Sequence, residues 1–248
     1  MVKEKKTRLD RALVERGLVS TRTKAQSLIM AGLVYNDTGR LDKAGMQISN
    51  NMMIKVKSMD HPWVSRGGVK LASALKKFHI SVSNLVCLDI GASTGGFSDV
   101  LLDGGAVKVY AVDVGHGQLA WKIRNDPRVI VKERLNARYI TRKEVPDLID
   151  FICCDTSFIG LQKVLPFPMK LARKSAKLVA LIKPQFEASR SQVESGGIIN
   201  DSEIHEAVCD RISQWFTSLE NWTVIGIEQS PITGPKGNIE FLIAAQRL

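Results

Sequence analysis

Beyond residue 64, the chain alternates between short apolar runs and stretches in which apolar residues recur at helical spacing. Four of the runs have the length of buried strands, and they cover residues 85–90, 107–112, 148–154 and 178–182. Two later runs, 223–228 and 239–244, are joined by a turn rich in Pro and Gly, as expected for antiparallel neighbours. This pattern predicts an α/β, Rossmann-like sheet that is mostly parallel and has an antiparallel last strand.

The first sixty residues follow a different pattern of short helices and strands. Leu9, Leu13 and Val14 recur at helical spacing, which predicts one helix. A second helix carries Ala25, Leu28 and Ile29, with Ser20 or Thr21 as its N-cap and Gly32 at its end. Short strands are expected at 33–36 and 53–57. We therefore expect a small α+β domain over residues 1–59, a short linker over 60–64 and the α/β domain over 65–248.

Positive charge is concentrated in the small N-terminal domain. The chain has a formal net charge of +10, and residues 1–60 hold twelve Lys and Arg against six Asp and Glu. An excess of this kind favours a polyanionic partner, either nucleic acid or an anionic membrane surface.

The cysteines and the apolar stretches narrow the class of protein. The four cysteines lack C-x-x-C spacing, and three of them lie in strand-like runs, so we expect buried thiols and no metal site. No apolar stretch approaches the ~20 residues of a membrane span, and the charged N-terminus is not followed by a signal-peptide core. A cytoplasmic location is therefore expected. The oligomeric state is left open.

A glycine-rich loop after the first strand of the α/β domain indicates a nucleotide-type cofactor. The expected cofactor contacts are Asp89, Gly91, Ala92, Ser93, Thr94, Gly95, Gly96, Phe97, Asp113 and Asp155. Asp113 ends the next strand, where a carboxylate accepts hydrogen bonds from ribose hydroxyls. A dinucleotide and S-adenosylmethionine both suit this order. Ser93 replaces the second glycine of the dinucleotide G-x-G-x-x-G motif, which disfavours a pyrophosphate and favours S-adenosylmethionine.

Polar residues follow several predicted strands. Asp89, Asp113, Asp155 and Lys183 should converge on one rim, because ligands gather at the carboxyl ends of parallel strands. Pro184 is expected to prevent a helix directly after Lys183, so residues 185–199 should form a long loop over the site. Glu240 is expected inside the final strand, an unusual place for a carboxylate unless it faces a polar site.

Residues 7–58 resemble the ribosomal-protein-S4-like RNA-binding domain. The resemblance is carried by Arg8-Leu9-Asp10-x-x-Leu13 and by Ser20-x-Arg22-x-x-Ala25-x-x-Leu28-Ile29-x-x-Gly32-x-Val34. Tyr35-Asn36-Asp37 stands where that family usually has Val-Asn-Gly. The resemblance implies that the basic helices bind structured RNA, and the expected RNA contacts are Arg8, Arg11, Arg22, Lys24 and Arg66.

Four residues of the α/β domain match the Lys-Asp-Lys-Glu tetrad of the FtsJ-like 2′-O-ribose methyltransferases: Lys70, Asp155, Lys183 and Glu240. Motifs over 65–71, 88–97, 181–187 and 236–242 resemble more closely the TlyA family, once described as haemolysins. The resemblance implies a class I methyltransferase sheet and S-adenosylmethionine-dependent 2′-O-methylation of cytidine in ribosomal RNA. Large-subunit RNA is the expected substrate, with small-subunit RNA added in some members, as naked RNA or ribosomal subunits.

Each tetrad residue has an expected chemical role. A ribose hydroxyl is a poor nucleophile near neutral pH, so Lys183 is expected to stabilise the forming alkoxide. Asp155 and Glu240 are expected to hold the Lys183 ammonium, and Lys70 to add positive potential. Whether Lys183 acts as a neutral base or as a cation is left open.

Two other functions are compatible with parts of the sequence. A membrane-active haemolysin would use the basic surface on anionic lipid, but no amphipathic segment has a long apolar face free of an evident core role. An RNA-binding assembly protein without activity would not need the intact tetrad. Transfer of labelled methyl groups separates these alternatives from the enzyme.

Overall fold

The computed structural model describes residues 6–19, 21–30, 32–56, 61–194 and 196–248. The chain divides into two compact units, Met1–Pro62 and Trp63–Leu248, and each is described by itself.

The N-terminal unit packs two helices on two small antiparallel sheets. Its elements are β1 (Lys6–Arg8), α1 (Leu9–Glu15), α2 (Arg22–Met30), β2 (Val34–Asn36), β3 (Gly39–Arg40), β4 (Gln47–Ser49) and β5 (Lys55–Val56). Strand β1 pairs with β4, and β2 pairs with both β3 and β5. The core consists of Leu9, Ala12, Leu13, Ala25, Leu28, Ile29, Val34, Leu41 and Ile48. The apolar positions identified in the two helices therefore face this core.

The ends of α2 follow from its sequence. Thr21 Oγ1 accepts a hydrogen bond from the Lys24 backbone N–H at 3.2 Å, which confirms Thr21 as a cap. Ser20, the alternative cap, lies outside the described residues, as does Lys57 at the end of one expected strand. Gly32 follows the helix with a φ of +69°, a conformation that favours glycine. Strands β1, β3 and β4 are too short to leave a pattern in the sequence.

The C-terminal unit is built on one seven-stranded sheet. Its elements are α3 (Gly67–Lys77), β6 (Val86–Ile90), α4 (Gly96–Asp103), β7 (Lys108–Val112), α5 (Trp121–Arg124), β8 (Val129–Lys132), β9 (Ile149–Cys154), α6 (Leu161–Val164), α7 (Pro166–Lys170), β10 (Ala172–Ile182), α8 (Pro184–Glu187), α9 (Ser202–Ser218), β11 (Trp222–Gln229) and β12 (Phe241–Arg247). The strand order is β11-β12-β10-β9-β6-β7-β8. Strand β12 is antiparallel to both of its neighbours, and the pairs from β10 to β8 are parallel. The predicted α/β fold is confirmed.

The central strands β6, β7 and β9 are buried on both faces, which explains why they are mostly apolar. Alternate residues of β9 enter opposite layers: Phe151 and Cys153 pack in one core cluster, and Ile152 and Cys154 in the other. Burial raises the pKa of the Cys154 thiol to about 12, so that thiol stays protonated at neutral pH.

The described residues contain neither a membrane-spanning helix nor a metal-binding cluster. No described helix is long and apolar enough to cross a membrane. Within the same described ranges, no group of three or more His, Cys, Asp or Glu side chains is arranged to hold a metal ion.

Two local predictions are wrong. Helix α8 begins at Pro184, because proline is well tolerated in the first turn of a helix, where its missing N–H would have no partner. The expected loop over 185–199 therefore contains the rest of α8 and a 3₁₀ turn, Arg190–Gln192. Glu240 lies directly before β12 rather than inside it.

Candidate active site

The glycine-rich loop joins the carboxyl end of β6 to the first turn of α4. Gly91 and Gly95 have φ angles of +79° and +93°, which glycine adopts at little cost. A Cβ atom on Gly91 would overlap the carbonyl oxygen of Asp155. The loop therefore packs directly on the end of β9, and its first position accepts only glycine.

Asp113 follows β7 and faces this loop. Its Oδ2 accepts a hydrogen bond from the Ser93 N–H at 2.8 Å, and its Oδ1 accepts one from the Gly115 N–H at 2.6 Å. A carboxylate has about four acceptor positions, so two remain after these bonds. Asp113 lines a cleft of about 700 Å³ together with Gly91, Ser93 and Asp155. The carboxylate is thus fixed by backbone donors and still able to bind hydroxyl groups of a ligand.

Asp89 does not reach this cleft, which corrects the expectation that it joins the rim. Its side chain is fully buried, and Oδ2 accepts a hydrogen bond from Ser98 Oγ at 2.7 Å. Burial raises the pKa of Asp89 to about 7. Asp89 stands one residue before the end of β6, so its side chain points to the α4 side of the sheet. Its hydrogen bond joins β6 to α4, the helix that follows the glycine loop.

A second cleft of about 380 Å³ lies beside the first and shares its glycine loop. Its lining includes Ala92, Thr94, Gly96, Phe97, Arg66, Lys70, Asp155 and Lys183. Gly95 instead packs toward Leu119 and Ile123. The fold therefore brings three of the four tetrad residues to the loop predicted for the cofactor.

Lys183, which follows β10, forms an ion pair with Asp155, which follows β9. Lys183 Nζ lies 2.5 Å from Asp155 Oδ1 and donates a hydrogen bond to Ser157 Oγ at 3.2 Å. The Lys183 side chain is 9% exposed and that of Asp155 is 20% exposed. An ammonium has three donors, so one remains after these two described partners. Adjacent parallel strands place both groups at the same edge of the sheet.

Lys70 on α3 forms the other ion pair of the tetrad, with Glu240. Lys70 Nζ lies 2.5 Å from Glu240 Oε2, and the two side chains are 8% and 1% exposed. This corrects the expected role of Glu240, which pairs with Lys70 and not with Lys183. The reason is that α3 packs against β12, which Glu240 immediately precedes, whereas Asp155 is already adjacent to Lys183.

A pocket of about 400 Å³ with an aromatic wall opens beside Lys183 and Glu240. Phe158 and Phe186 form this wall, with ring centroids 5.0 Å apart and planes at 45°. Phe158 is 89% exposed and has a φ of +65°, a conformation that is strained for an aromatic residue. The sequence analysis missed both rings. The signal was their position: each lies three residues after a tetrad residue at a strand end.

The basic residues of the N-terminal unit are arranged differently from the expectation. Asp10 is fully buried, and its carboxylate accepts hydrogen bonds from Arg8 at 3.0 and 3.1 Å and from Arg22 at 2.9 Å. The Arg8 guanidinium holds the pKa of Asp10 well below its usual range. Arg8 and Arg22 therefore join the start of α1 to α2 through Asp10, while their side chains stay 44% and 58% exposed.

The other basic side chains of this unit include one that pairs with a carboxylate and several that are exposed to solvent. Arg11 pairs with Glu15 at 2.9 Å on the same helix, while Lys24 is exposed. Exposed basic residues that the sequence analysis did not single out are Lys6, Arg40 and Lys43. Lys6, Arg8 and Arg11 line a groove of about 530 Å³, a size and charge that suit a polyanion.

The Asp10 clamp gives a pH-dependent prediction. We expect Asp10→Asn to lower the stability of the N-terminal unit, because a depressed pKa in the folded state means that ionised Asp10 stabilises the fold. The difference from the unaltered protein should be complete above about pH 4, the pKa of an unfolded Asp, and should shrink as the pH falls further. Urea unfolding at pH 7 and pH 3 measures it. An equal difference at both pH values would contradict the assignment.

Comparison with known proteins gives the same two-part organisation. The family model described as FtsJ-like methyltransferase matches residues 63–247, and the S4 domain model matches residues 7–54. The "Putative rRNA methyltransferase YqxC" of Bacillus subtilis is 48% identical over 240 residues, covering 96% of this chain and 85% of the relative. The "16S/23S rRNA (cytidine-2'-O)-methyltransferase TlyA" of Mycobacterium tuberculosis is 42% identical over 240 residues, covering 96% of this chain and 89% of the relative.

Solved structures agree with these sequence matches. The structure named "Putative hemolysin from Streptococcus thermophilus" superposes with a TM-score of 0.75 at 43% identity, covering 98% of this chain and 88% of that one. The S4-like and FtsJ-like resemblances of the sequence are thereby confirmed, and the chain is a methyltransferase by its domain. Because these matches span nearly its whole length, the chain belongs to the TlyA family, an S4 domain followed by an FtsJ-like methyltransferase domain.

Proposed function

We propose that this protein transfers a methyl group from S-adenosylmethionine to the 2′-hydroxyl of cytidine in ribosomal RNA. The observation that carries the proposal is the pair of lysine–carboxylate contacts at the end of the sheet, Lys183 with Asp155 and Lys70 with Glu240. The names of the relatives supply the nucleoside and the RNA. Large-subunit RNA is the first candidate and small-subunit RNA the second.

The residues present fit S-adenosylmethionine. Asp113 keeps acceptor positions for two ribose hydroxyls, and Gly91, packed on the end of β9, lines both clefts. Ser93, Thr94 and Gly96 line the second cleft, where their backbone is proposed to contact the methionine end of S-adenosylmethionine. The cofactor supplies an electrophilic methyl group bound to a positively charged sulfur.

Lys183 is the group proposed to act on the ribose oxygen. Its ammonium is held by Asp155 and Ser157, and its remaining N–H can stabilise negative charge as it develops on that oxygen. We assign Lys183 a cationic role, because its Nζ lies against the Asp155 carboxylate. The ribose oxygen bonds to the methyl carbon, the carbon–sulfur bond breaks with its electron pair on sulfur, and the hydroxyl proton leaves to water. Alignment of the two reacting atoms supplies much of the acceleration.

The aromatic pocket suits the nucleobase attached to the reacting ribose. Phe158 and Phe186 expose ring surface beside Lys183, and stacking on an aromatic side chain is the usual way that a protein holds an unpaired RNA base. A base can stack on these rings only when it is unstacked from its neighbours, so the target cytidine would leave its stack to enter this pocket.

The N-terminal S4 domain is proposed to bind the RNA, with residues 1–59 as the binding domain, 60–64 as the linker and 65–248 as the transferase. Lys24 and Arg11 on its helices are proposed phosphate contacts, together with Arg66 at the second cleft. We place the protein in the cytoplasm, where its proposed substrate is made and used.

Weakened cofactor binding is expected for Asp113→Ala. The variant removes the acceptor proposed for the ribose hydroxyls, and a hydrogen bond to a charged group contributes about 1.5–3 kcal/mol. Titration calorimetry with S-adenosylmethionine should therefore show affinity lower by about one to two orders of magnitude. Asp103→Ala is the matched control, because Asp103 ends α4 on the exposed surface. Unchanged affinity in Asp113→Ala would remove this residue from the site.

The proposed function is tested by incubating the purified protein with radiolabelled S-adenosylmethionine and ribosomal subunits. Label should appear in 2′-O-methylcytidine after nuclease digestion. Label on a base, or none at all, would contradict the proposal. Lysis of erythrocytes without methyl transfer would favour a haemolysin, the function that the name of one relative suggests.

A further inference from the structure

Two chain segments form the walls around Lys183, and the tetrad alone does not hold them together. One segment, 155–160, runs from β9 to α6 and carries Asp155 and Phe158. The other, 183–187, follows β10 and carries Lys183 and Phe186. The ion pair, the Lys183–Ser157 hydrogen bond and the two rings all depend on how these segments are placed relative to each other.

Glu187, the last residue of α8, connects the two segments. Its Oε1 accepts a hydrogen bond from the Leu161 backbone N–H at 2.6 Å, at the point where segment 155–160 ends. The Glu187 side chain is only 4% exposed. A Cβ atom on Gly160 would lie 2.9 Å from Glu187 Oε2, so the carboxylate packs directly on the segment. A carboxylate of one segment therefore caps the end of the other.

Arg211 on α9 holds Glu187 from the opposite side. Its Nη2 donates a hydrogen bond to the Glu187 backbone oxygen at 2.7 Å and lies 3.6 Å from Oε2. Helix α9 is the longest in the described chain and packs on the sheet through Val208, Ile212 and Phe216. Arg211 thus fastens α8 to a rigid element of the domain.

Burying the Glu187 carboxylate is costly unless hydrogen-bond and charge partners compensate for the lost water. A pair that served stability alone could lie anywhere in the domain, whereas this one lies between the two segments around Lys183. Glu187 is four residues from Lys183 and contacts the residue that closes the Phe158 segment. A displacement of about 1 Å in either segment would misalign Lys183 with the ribose oxygen, and errors of that size cost about 10²-fold in rate.

We propose that Glu187, held by Arg211, is a positioning residue that fixes segment 155–160 against segment 183–187 and so sets the placement of Lys183, Phe158 and Phe186. The proposal rests on the proposed function, because it assigns these three residues to the RNA-methylating site. Glu187 does not touch the reacting atoms, and its effect passes through the residues that do.

The test compares Glu187→Ala, Glu187→Gln and Arg211→Met in single-turnover methylation of ribosomal subunits at saturating S-adenosylmethionine. Glu187→Ala should lose about 10- to 100-fold in rate. Glu187→Gln keeps an acceptor for the Leu161 N–H and should stay within about threefold of the unaltered protein. Arg211→Met should fall between them. Calorimetric affinity for S-adenosylmethionine should fall by much less than the rate in all three, because residues 155–160 form only one wall of that cleft and Asp113 with Ser93 is untouched.

Amide hydrogen exchange of residues 157–161 is the readout that does not depend on activity. It should quicken in Glu187→Ala and remain slow in Glu187→Gln and in the control Glu206→Ala, an exposed glutamate of α9. Unaltered rate and exchange in Glu187→Ala would overturn the proposal, as would a rate loss matched by an equal loss of cofactor affinity. If Glu187→Ala does not fold, Arg211→Met decides in the same way.

Failure of the proposed function and failure of the Glu187 positioning role give different experimental results. If the unaltered protein makes no 2′-O-methylcytidine, the proposed function fails, and the exchange measurement still decides whether Glu187 fixes the segment. If the unaltered protein is active and Glu187→Ala is equally active, only the positioning role fails.

Discussion

Lys183→Ala is expected to slow methyl transfer by about 10²- to 10³-fold while leaving the affinities for S-adenosylmethionine and RNA nearly unchanged. The ammonium is proposed to stabilise charge that develops only in the transition state, and removal of one such donor typically has an effect of this size. Single-turnover rates at saturating cofactor and ribosomal subunits give the effect on the chemical step alone.

Lys183→Arg is the companion variant. Arginine keeps the positive charge, but its planar guanidinium cannot occupy the site of a compact ammonium between Asp155 and Ser157. We expect it to remain impaired by at least tenfold. Lys177→Ala, on the same strand, is the control that should keep full activity. Near-normal rates for both Lys183 variants would show that the pair with Asp155 is structural only.

Glu240→Ala is expected to have the largest effect on stability. It leaves the buried Lys70 ammonium without its partner, and breaking one side of a buried ion pair costs about 3–5 kcal/mol. Denaturant unfolding of the methyltransferase unit would measure the loss. The reduced activity should then reflect both this loss of stability and the loss of the site.

The double variant Lys70→Met with Glu240→Leu separates the two contributions. Removing both charges and filling the space with apolar groups should return most of the stability, because a buried pair is often replaceable without net loss. Methyl transfer should nevertheless remain low if the pair supplies charge to the site. Recovery of both stability and activity in the double variant would assign Lys70 and Glu240 to the fold alone.

The sheet was predictable because its strands are buried on both faces. The run 148–154 is apolar except for Asp150, and the parallel pairs of the structure coincide with it. Strand β8, at the sheet edge, is half-exposed along its whole length and leaves no such run. Strand β10 begins with the exposed residues 173–175, so only its second half carried the apolar signal.

The tetrad residues were predictable by type and position, but their pairing was not. The order of the strands determines which carboxylate pairs with which lysine. Asp155 pairs with Lys183 because they follow the adjacent strands β9 and β10. Glu240 meets Lys70 because α3 packs near the start of β12. That contact joins residues 170 positions apart, and no local pattern indicates it.

Two further features that the sequence did not predict have local physical causes. Pro184 was taken as a barrier to a helix, yet proline at the first position of α8 sacrifices no hydrogen bond. Arg8 and Arg22 were assigned to phosphate because the S4-like resemblance draws attention to basic helices. Both also donate to Asp10, a pairing that the sequence alone does not show because it does not reveal that this carboxylate is buried.

The central claim is that this chain places a methyl group on the 2′-oxygen of a ribosomal cytidine. It is tested most directly by mapping 2′-O-methyl groups across the ribosomal RNA of cells that carry the gene, lack it, or carry only the Lys183→Ala form. The account predicts one or more 2′-O-methylcytidines that are present in the first cells and absent in the other two. Identical 2′-O-methyl maps in all three would contradict it.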